Sequence, residues 1–246
     1  MKIDIRGLSE DQIIEFFEKK GFDSYRGRQV YEWIWRKSCY SFDEMTNISK
    51  DLRDVLDNHF VINHIQVDKI QKSFDGTIKN AVKLHDDHTV ESVLIPTDDR
   101  TTACVSSQVG CSLDCKFCAT SKLKRMRNLN PDEIYDQVVT INDQSKKYFN
   151  RPLSNIVYMG MGEPLMNYNN LIKSIEKISS DKGLNMSQKR IVVSTSGIPK
   201  MIKKLADENL KVNLALSLHS AIEETRNKIM PFSKKFSLDE IKDSLI

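Results

Sequence analysis

Apolar side chains recur every three or four positions through the first 60 residues, which is the spacing of amphipathic helices. One helix is expected to begin after Ser9, because Gln12 completes a capping box with that serine, and Gly21 is placed to end it. Two more helices are expected before residue 60. The pattern therefore predicts a small helical domain over residues 1–60.

The apolar period changes to two between residues 61 and 100. β-Branched side chains alternate with polar ones there, and the pairs Asp75-Gly76 and Asp86-Asp87 have the composition of tight turns. Two or three antiparallel strands are expected. We interpret residues 61–100 as a β segment that links two domains.

From residue 101 to residue 246, strand patterns and helix patterns alternate four times. The first of these helices is expected to begin at Asn130-Pro131, an N-cap residue followed by proline at the first helical position. Such alternation predicts an α/β fold with a parallel sheet. Four strand–helix units cannot close a barrel, so residues 101–246 are expected to form a barrel that is incomplete at the C-terminus.

Composition excludes several classes of protein. The 246 residues are 39% hydrophobic and 29% charged with a net charge of +3, which excludes a disordered chain and gives no argument for nucleic-acid binding from total charge. Neither a membrane-spanning stretch nor a signal peptide is present, so we expect a cytoplasmic protein with no membrane partner. In a reducing compartment, five cysteines with three of them close together favour metal or catalytic chemistry over disulfides.

The three clustered cysteines form a C-x3-C-x2-C motif at Cys111, Cys115 and Cys118. Three thiolates at this spacing can ligate three irons of a cubane and leave the fourth iron open. A structural zinc site is a weaker alternative, because it prefers four protein ligands and the nearest downstream histidine is His219. Unrelated buried cysteines are a further alternative, which suits the isolated Cys39 better than the triplet.

The cysteine motif, with an aromatic residue just before its third cysteine, resembles the signature of radical S-adenosylmethionine (SAM) enzymes. In that superfamily the open iron binds SAM, and one electron cleaves SAM to methionine and a 5'-deoxyadenosyl radical in a partial (βα) barrel. Flanking motifs narrow the resemblance to the RlmN/Cfr family of RNA methyltransferases and span essentially the whole chain. These motifs are residues 90–96 (VESVLIP), 104–111 (CVSSQVGC), 158–164 (YMGMGEP), 194–197 (STSG) and 217–219 (SLH).

The resemblance implies a role for each matched position. Cys111, Cys115 and Cys118 would ligate a [4Fe-4S] cluster, Glu91 would be the acid/base residue near the adenine, and Cys104 would help to release the product from a protein–RNA adduct. The SAM-binding positions would be Gly162, Glu163, Ser194, Ser217, Leu218 and His219. Independently of the resemblance, the cysteine loop and these SAM-binding positions follow predicted strands, where βα barrels place their chemistry.

The resemblance also implies the reaction and its partners. The substrate would be carbon 2 of an adenosine in 23S rRNA, with tRNA as a second substrate, and flavodoxin or ferredoxin would donate electrons. Four positive charges in residues 122–127 are a candidate phosphate contact, with a solvated loop as the alternative. In the family a cysteine nearer the C-terminus carries the transferred methyl group. None of the five cysteines here matches it, so this chain is expected to fall short of full turnover.

Three alternative functions stay open at this point. The first is carbon-8 methylation of adenosine, the sibling activity that confers antibiotic resistance. The second is a radical SAM enzyme that activates another protein, although such enzymes usually lack a helical preface of this length. The third is a non-catalytic iron–sulfur or zinc module.

Overall fold

The computed structural model describes residues 2–246, whose contacts group into two compact units. The first unit comprises Met1–Ile65 and Glu176–Met186, and the second comprises Gln66–Ile175 and Ser187–Ile246. The three-part division at residues 60 and 100 stays a prediction. Residues 66–100 share one sheet with the strands that follow them.

The first unit is mainly helical, and its first helix begins as its sequence predicts. Ser9 Oγ accepts a hydrogen bond from the Gln12 N–H at 3.2 Å, and the Ser9 N–H donates to Gln12 Oε1 at 2.8 Å, so the capping box is complete. Gly21 follows the helix with a φ of +80°. The elements are β1 (Ile3–Asp4), α1 (Glu10–Lys19), α2 (Ser24–Trp35), α3 (Lys50–His59) and β2 (Phe60–Val61), with β1 and β2 paired in parallel.

The second unit is built on one seven-stranded sheet with the strand order β11-β10-β9-β6-β5-β4-β3. Strands β6, β9, β10 and β11 are parallel, whereas β3 to β6 pair as antiparallel neighbours. A short antiparallel pair, β7 with β8, lies outside this sheet. The strands are β3 (Gln66–Lys72), β4 (Ile78–Lys83), β5 (Thr89–Pro96), β6 (Thr101–Cys104), β7 (Gln108–Val109), β8 (Arg127–Asn128), β9 (Asn155–Tyr158), β10 (Ile191–Thr195) and β11 (Asn213–Leu216).

Helices connect the parallel strands, which confirms the predicted α/β class with four parallel strands of a partial barrel. The helix after β6 begins at the predicted cap, where the side chains of Asn130 and Glu133 form a capping box. None of the helices within residues 2–246 is long and apolar enough to cross a membrane. The remaining helices are α4 (Pro131–Phe149), α5 (Tyr168–Ser179), α6 (Pro199–Asp207), α7 (Glu223–Ile229) and α8 (Leu238–Asp243).

The two faces of the sheet differ in burial. Along β9 and β10 the side chains of Ile156, Tyr158, Ile191 and Val193 are fully buried and form core. The Tyr158 hydroxyl, on this face, is 2.8 Å from the hydroxyl of Ser174 in α5. Residues between these core positions are only partly buried, so the opposite face of the sheet is the more open one.

Candidate active site at the carboxyl ends of the parallel strands

The cysteine loop runs between β7 and β8 and gathers its three thiols in one place. Cys111 and Cys115 are buried with Leu113 and Met230 in an apolar cluster, and Cys118 packs against that cluster. The backbone is held tightly, because the Cys118 N–H donates to the Cys115 carbonyl at 3.1 Å. The loop thus presents three thiols and a cover of apolar side chains.

This donor set fits an iron–sulfur cluster better than a single ion. A structural zinc ion prefers four protein ligands, and within residues 2–246 no group of three or more His, Cys, Asp or Glu side chains is arranged to hold one metal ion. A cubane spreads its thiolate ligands over separate irons and needs no such convergence. Burial raises the pKa of Cys111 and raises that of Cys115 to about 11, so these thiols need a cationic group to bind as thiolates.

The Gly162-Glu163 turn after β9 lies against the strand that leads into the cysteine loop. Gly162 has a φ of +97°, and a Cβ there would lie 2.5 Å from Cβ of Gln108. The Glu163 N–H donates to Gln108 Oε1 at 2.9 Å. The Glu163 carboxylate is only 3% exposed and accepts hydrogen bonds from the N–H groups of Leu165 at 3.2 Å and Ser196 at 2.8 Å. Burial raises the pKa of Glu163, and these hydrogen bonds oppose the rise.

Ser194 lies within β10, not after it, which corrects the position expected from the sequence. Its hydroxyl donates to the Tyr158 carbonyl of the neighbouring strand at 2.6 Å. The pairing of β10 with β9 therefore fixes the orientation of the Ser194 side chain.

The segment after β11 turns toward the cysteine loop. The Ser217 N–H donates to the Thr195 carbonyl at 2.8 Å, and Leu218 is partly exposed. His219 has a φ of +58°, and its ring centroid is 4.2 Å from that of Phe117, the residue before Cys118. The structure thus brings this segment and the cysteine loop together, as the sequence predicts for the ends of parallel strands.

Glu91 and Cys104 lie on neighbouring strands. Val93 pairs with Cys104 in the antiparallel register, and side chains two apart on a strand share a face, so Glu91 and Cys104 point to the same face of the sheet. That face is the open one, and the register through β9 and β10 places Ser194 on it as well. Lys79 forms an ion pair with Glu91 at 2.6 Å, and burial raises the pKa of Cys104 to about 11.

Fewer cations in residues 122–127 are free to contact a phosphate than the sequence suggests. The guanidinium of Arg127 is engaged by Asp86 at 2.5 Å and by both carboxylate oxygens of Glu133 at 2.7 and 2.8 Å. Three exposed cations therefore stay available to a phosphate: Lys122, Lys124 and Arg125.

Two residues of the site were not predicted from the sequence. Ser196 is 5% exposed, and its N–H donates to the Glu163 carboxylate at 2.8 Å. Arg226 is 1% exposed; its Nε donates to the Leu218 carbonyl at 3.2 Å and its Nη2 to the Ser196 carbonyl at 2.5 Å. The available sequence signal was weak: Arg226 lies four residues after Ile222 and three before Ile229, which is the spacing of one helix face.

Comparison with known proteins gives two family matches and many relatives. Residues 3–62 match the ribosomal RNA large subunit methyltransferase N-terminal domain, and residues 105–245 match the radical SAM superfamily. A "Probable dual-specificity RNA methyltransferase RlmN" of Christiangramia forsetii is 67% identical over 244 residues, covering 99% of this chain and 69% of the relative. The protein of that name in Flavobacterium psychrophilum is 66% identical over 244 residues, covering 99% and 70%.

More distant relatives match over almost the whole of this chain as well. The "Dual-specificity RNA methyltransferase RlmN" of Desulfotalea psychrophila is 42% identical over 246 residues, covering 98% of this chain and 68% of the relative. The crystal structure of a radical SAM methyltransferase from Sphaerobacter thermophilus superposes on this structure with a TM-score of 0.90. The two sequences are 34% identical, and the match covers 98% of this chain and 71% of that one.

Proposed function

The chain belongs to the radical SAM superfamily and, within it, to the RlmN family, and from this premise we propose that its residues serve the methylation of carbon 2 of an adenosine in 23S rRNA, with tRNA as a second substrate. The observation that carries the proposal is the placement of Glu91, Cys104 and Ser194 on one open face of the sheet, whose parallel strands lead into the cysteine loop. A nucleobase on that face would reach the proposed catalytic groups.

The proposed cofactors are a [4Fe-4S] cluster and SAM. Cys111, Cys115 and Cys118 would hold the cluster, and their gathering in one apolar cluster supports this. When bound, the two cofactors together supply a one-electron route to carbon 2, a position that is not nucleophilic enough for ordinary methyl transfer. The proposed SAM-binding residues are Gly162, Glu163, Ser194, Ser217, Leu218 and His219.

Glu163 has the chemistry to bind the SAM amino group. Its carboxylate accepts hydrogen bonds from two backbone N–H groups. A buried carboxylate also binds a cation more strongly than an exposed one, because water screens the exposed pair.

Glu91 and Cys104 are the proposed catalytic residues of this chain. Glu91 would accept the proton from the adenine ring. The Cys104 thiolate would form a disulfide with the thioether sulfur while the bond between that sulfur and the methylene carbon breaks, and the carbon would keep the electron pair and take up a proton to become the methyl group. Burial holds the Cys104 thiol protonated at neutral pH, so its attack needs a base close by. Glu91 lies on the adjacent strand and the same face, which supports the division of roles.

The substrate and partners are proposed from the domain match and from the named relatives. The match of residues 3–62 to a ribosomal RNA methyltransferase domain favours RNA over a protein substrate and makes this helical domain a candidate RNA contact. The relatives named RlmN favour carbon 2 over carbon 8. Flavodoxin or ferredoxin is the proposed electron donor, and the cytoplasm is the proposed location.

Mass spectrometry of adenosines from digested rRNA and tRNA tests the function. An enzyme that has residues 1–246 together with the methyl-carrying cysteine of the family, reconstituted with iron and sulfide without oxygen, is expected to produce 2-methyladenosine from SAM and unmodified RNA. C115A should lose the brown chromophore and all product, whereas C39A should keep both. E91A should keep reductive SAM cleavage and lose methyl transfer. Product with the methyl group on carbon 8, or on a protein, would refute the proposal.

A further inference from the structure

The second unit has a groove with a volume of about 670 Å³ on its surface. The start of α5, the start of α6 and the stretch between α7 and α8 enclose it. The six proposed SAM-binding residues lie outside its lining, so this groove is distinct from the proposed SAM site. Much of the lining is apolar, and we name it the Phe232 groove after one of its members: Leu165, Met166, Met201, Phe232 and Phe236.

Phe232 connects the groove with the cysteine loop. Its side chain lines the groove and also packs against the apolar cluster that contains Cys111 and Cys115. Met230, two residues earlier in the chain, is buried within that cluster. A molecule seated in the groove would therefore be separated from the cysteine cluster by one aromatic side chain.

The groove presents positive charge and no negative charge. Lys204 and Lys235 line it, and among residues 2–246 no carboxylate does. Both lysines are exposed, and neither forms an ion pair with another described residue. Lys204 Nζ lies 4.1 Å from the ring centroid of Tyr168, and Lys235 Nζ lies 5.0 Å from that of Phe232. These contacts hold the two ammonium groups at the groove and leave them accessible to an outside carboxylate.

The segments that contribute these lysines are basic as a whole. Residues 198–208 and 231–236 contain five lysines and two carboxylates, a difference of +3. One of those carboxylates, Glu208, accepts a hydrogen bond from the Tyr168 hydroxyl at 2.9 Å and is thus engaged within the protein. The surroundings of the groove therefore attract an acidic surface.

A protein that donates electrons fits this groove better than RNA does. The adenine has to reach Glu91 and Cys104 on the open face of the sheet, whereas the groove leads to the cysteine loop through Phe232. Aromatic and methionine side chains are also typical of the centre of protein–protein interfaces, and Met166 is 37% exposed here. A phosphate backbone makes no use of such side chains.

We propose that the Phe232 groove is the docking site of a small acidic protein that donates one electron to the iron–sulfur cluster. The inference rests on the proposed function in taking the cysteine triplet as the ligands of a cluster that has to be reduced. The donor protein loses one electron and the cluster gains it, and no bond forms or breaks. Lys204 and Lys235 would pair with carboxylates of the donor, and apolar side chains of the donor would enter the groove.

Reversal of the two charges tests the docking site. The probe is an oxidised flavodoxin of net negative charge, and its dissociation constant is measured by calorimetry at low salt on reconstituted protein. The double variant Lys204→Glu, Lys235→Glu is expected to raise this constant about tenfold, because attraction is replaced by repulsion at both positions. The double variant Lys204→Gln, Lys235→Gln should give a smaller rise.

Reduction of the cluster provides a second measurement. With reduced flavodoxin at limiting concentration, bleaching of the brown chromophore should be about tenfold slower in the double glutamate variant, because fewer productive encounters form. Dithionite needs no docking site and should reduce the native protein and the variant to the same extent.

Lys211→Glu is the matched control. Lys211 is an exposed lysine of the same unit, but it precedes β11 and so lies at the opposite ends of the parallel strands from the cysteine loop. This change should leave the dissociation constant for flavodoxin nearly unchanged. A loss per charge equal to that of the groove variant would mean that overall charge attracts the donor, and the docking site would be overturned.

Two further results would overturn the docking site. One is an unchanged dissociation constant in the double glutamate variant. The other is a loss of affinity for an rRNA hairpin with unchanged affinity for flavodoxin, which would assign the groove to RNA. The proposed function is tested separately. If flavodoxin binds and reduces the cluster as expected but adenine is not methylated, the RNA reaction is wrong and the docking site stands.

Discussion

Gly162 is a residue whose backbone and surroundings both exclude a side chain. Its φ of +97° is unfavourable for residues with a Cβ, and a Cβ would meet the Gln108 side chain at 2.5 Å. We expect Gly162→Ala to destabilise the fold by about 2 kcal/mol and to weaken SAM binding. Chemical unfolding and calorimetry measure the two effects.

Gly7→Ala is the matched control for this change. A Cβ at Gly7 would have no atom within 4 Å, so the free energy of unfolding should change little. An equal loss in both variants would show that the turn at residue 162 is not the cause.

Cys39 gives the first unit a pH dependence of its own. Burial, and then the charge of Glu44, raise the pKa of this thiol from 9.0 to about 12. The folded state therefore binds the proton more tightly than the unfolded state, and the resulting stability is complete below pH 9 and lost as pH rises to about 12. The expected slope is at most about 1.4 kcal/mol per pH unit.

Unfolding curves at several pH values check this expectation. Cys39→Ala should have a flatter dependence than the native protein between pH 9 and 12, whatever its stability at neutral pH. Identical slopes in the two proteins would contradict the assignment.

At the scale of elements, the basic side chains of residues 122–127 have two different roles. Arg127 binds Asp86 and Glu133, so Arg127→Gln is expected to lower the unfolding temperature. Lys124 is exposed, so Lys124→Gln should leave that temperature unchanged and weaken RNA binding. If Lys124 contacts one phosphate, the slope of log affinity against log salt falls by about 1.

Fluorescence anisotropy with a labelled rRNA hairpin over a salt series measures this slope. Arg127→Gln serves as the comparison, because its charge is already engaged within the protein. A larger loss of salt dependence in Arg127→Gln than in Lys124→Gln would contradict the division of roles.

Local sequence patterns predict the helices and strands well, but they predict less well which strands pair with each other. The capping boxes at Ser9 and Asn130 and the four parallel strands follow from short patterns, because caps and periodicity depend on neighbours in the chain. The union of β3 to β6 with the parallel strands in one sheet depends on pairing between β6 and β9, about 50 residues apart in sequence, which no local pattern encodes.

The candidate site also has one part that a local motif predicts and another part that no local motif predicts. The cysteine triplet is a local motif, and its side chains gather in one apolar cluster, while their ligation of an iron–sulfur cluster stays a prediction. Ser196 and Arg226 contact each other across 30 residues, and a single arginine in a charged helix gives almost no signal before the fold is known. Long-range contacts between polar groups are therefore the part of the site that the sequence conceals.

At the scale of the whole molecule, the two half-reactions are expected to separate in residues 1–246. The cysteine triplet and the proposed SAM-binding residues are present, so the chain should bind a cluster and cleave SAM slowly under reduction. None of its five cysteines matches the methyl-carrying position of the family. Incubation with RNA and methyl-labelled SAM should therefore leave adenine unlabelled. Label on adenine would mean that one of these five cysteines carries the methyl group.

The apolar cover of the cysteine loop also has a consequence for biosynthesis. Met230, Ile229 and Phe232 pack against the thiols, but they are synthesised more than a hundred residues after Cys118. At roughly 5–20 residues per second, ribosomes need about 5 to 20 s to translate that stretch. During this interval the three thiols have emerged without their cover. Oxidants and free metal ions therefore reach them most easily in the nascent chain, before the finished fold buries Cys111 and Cys115 and partly covers Cys118.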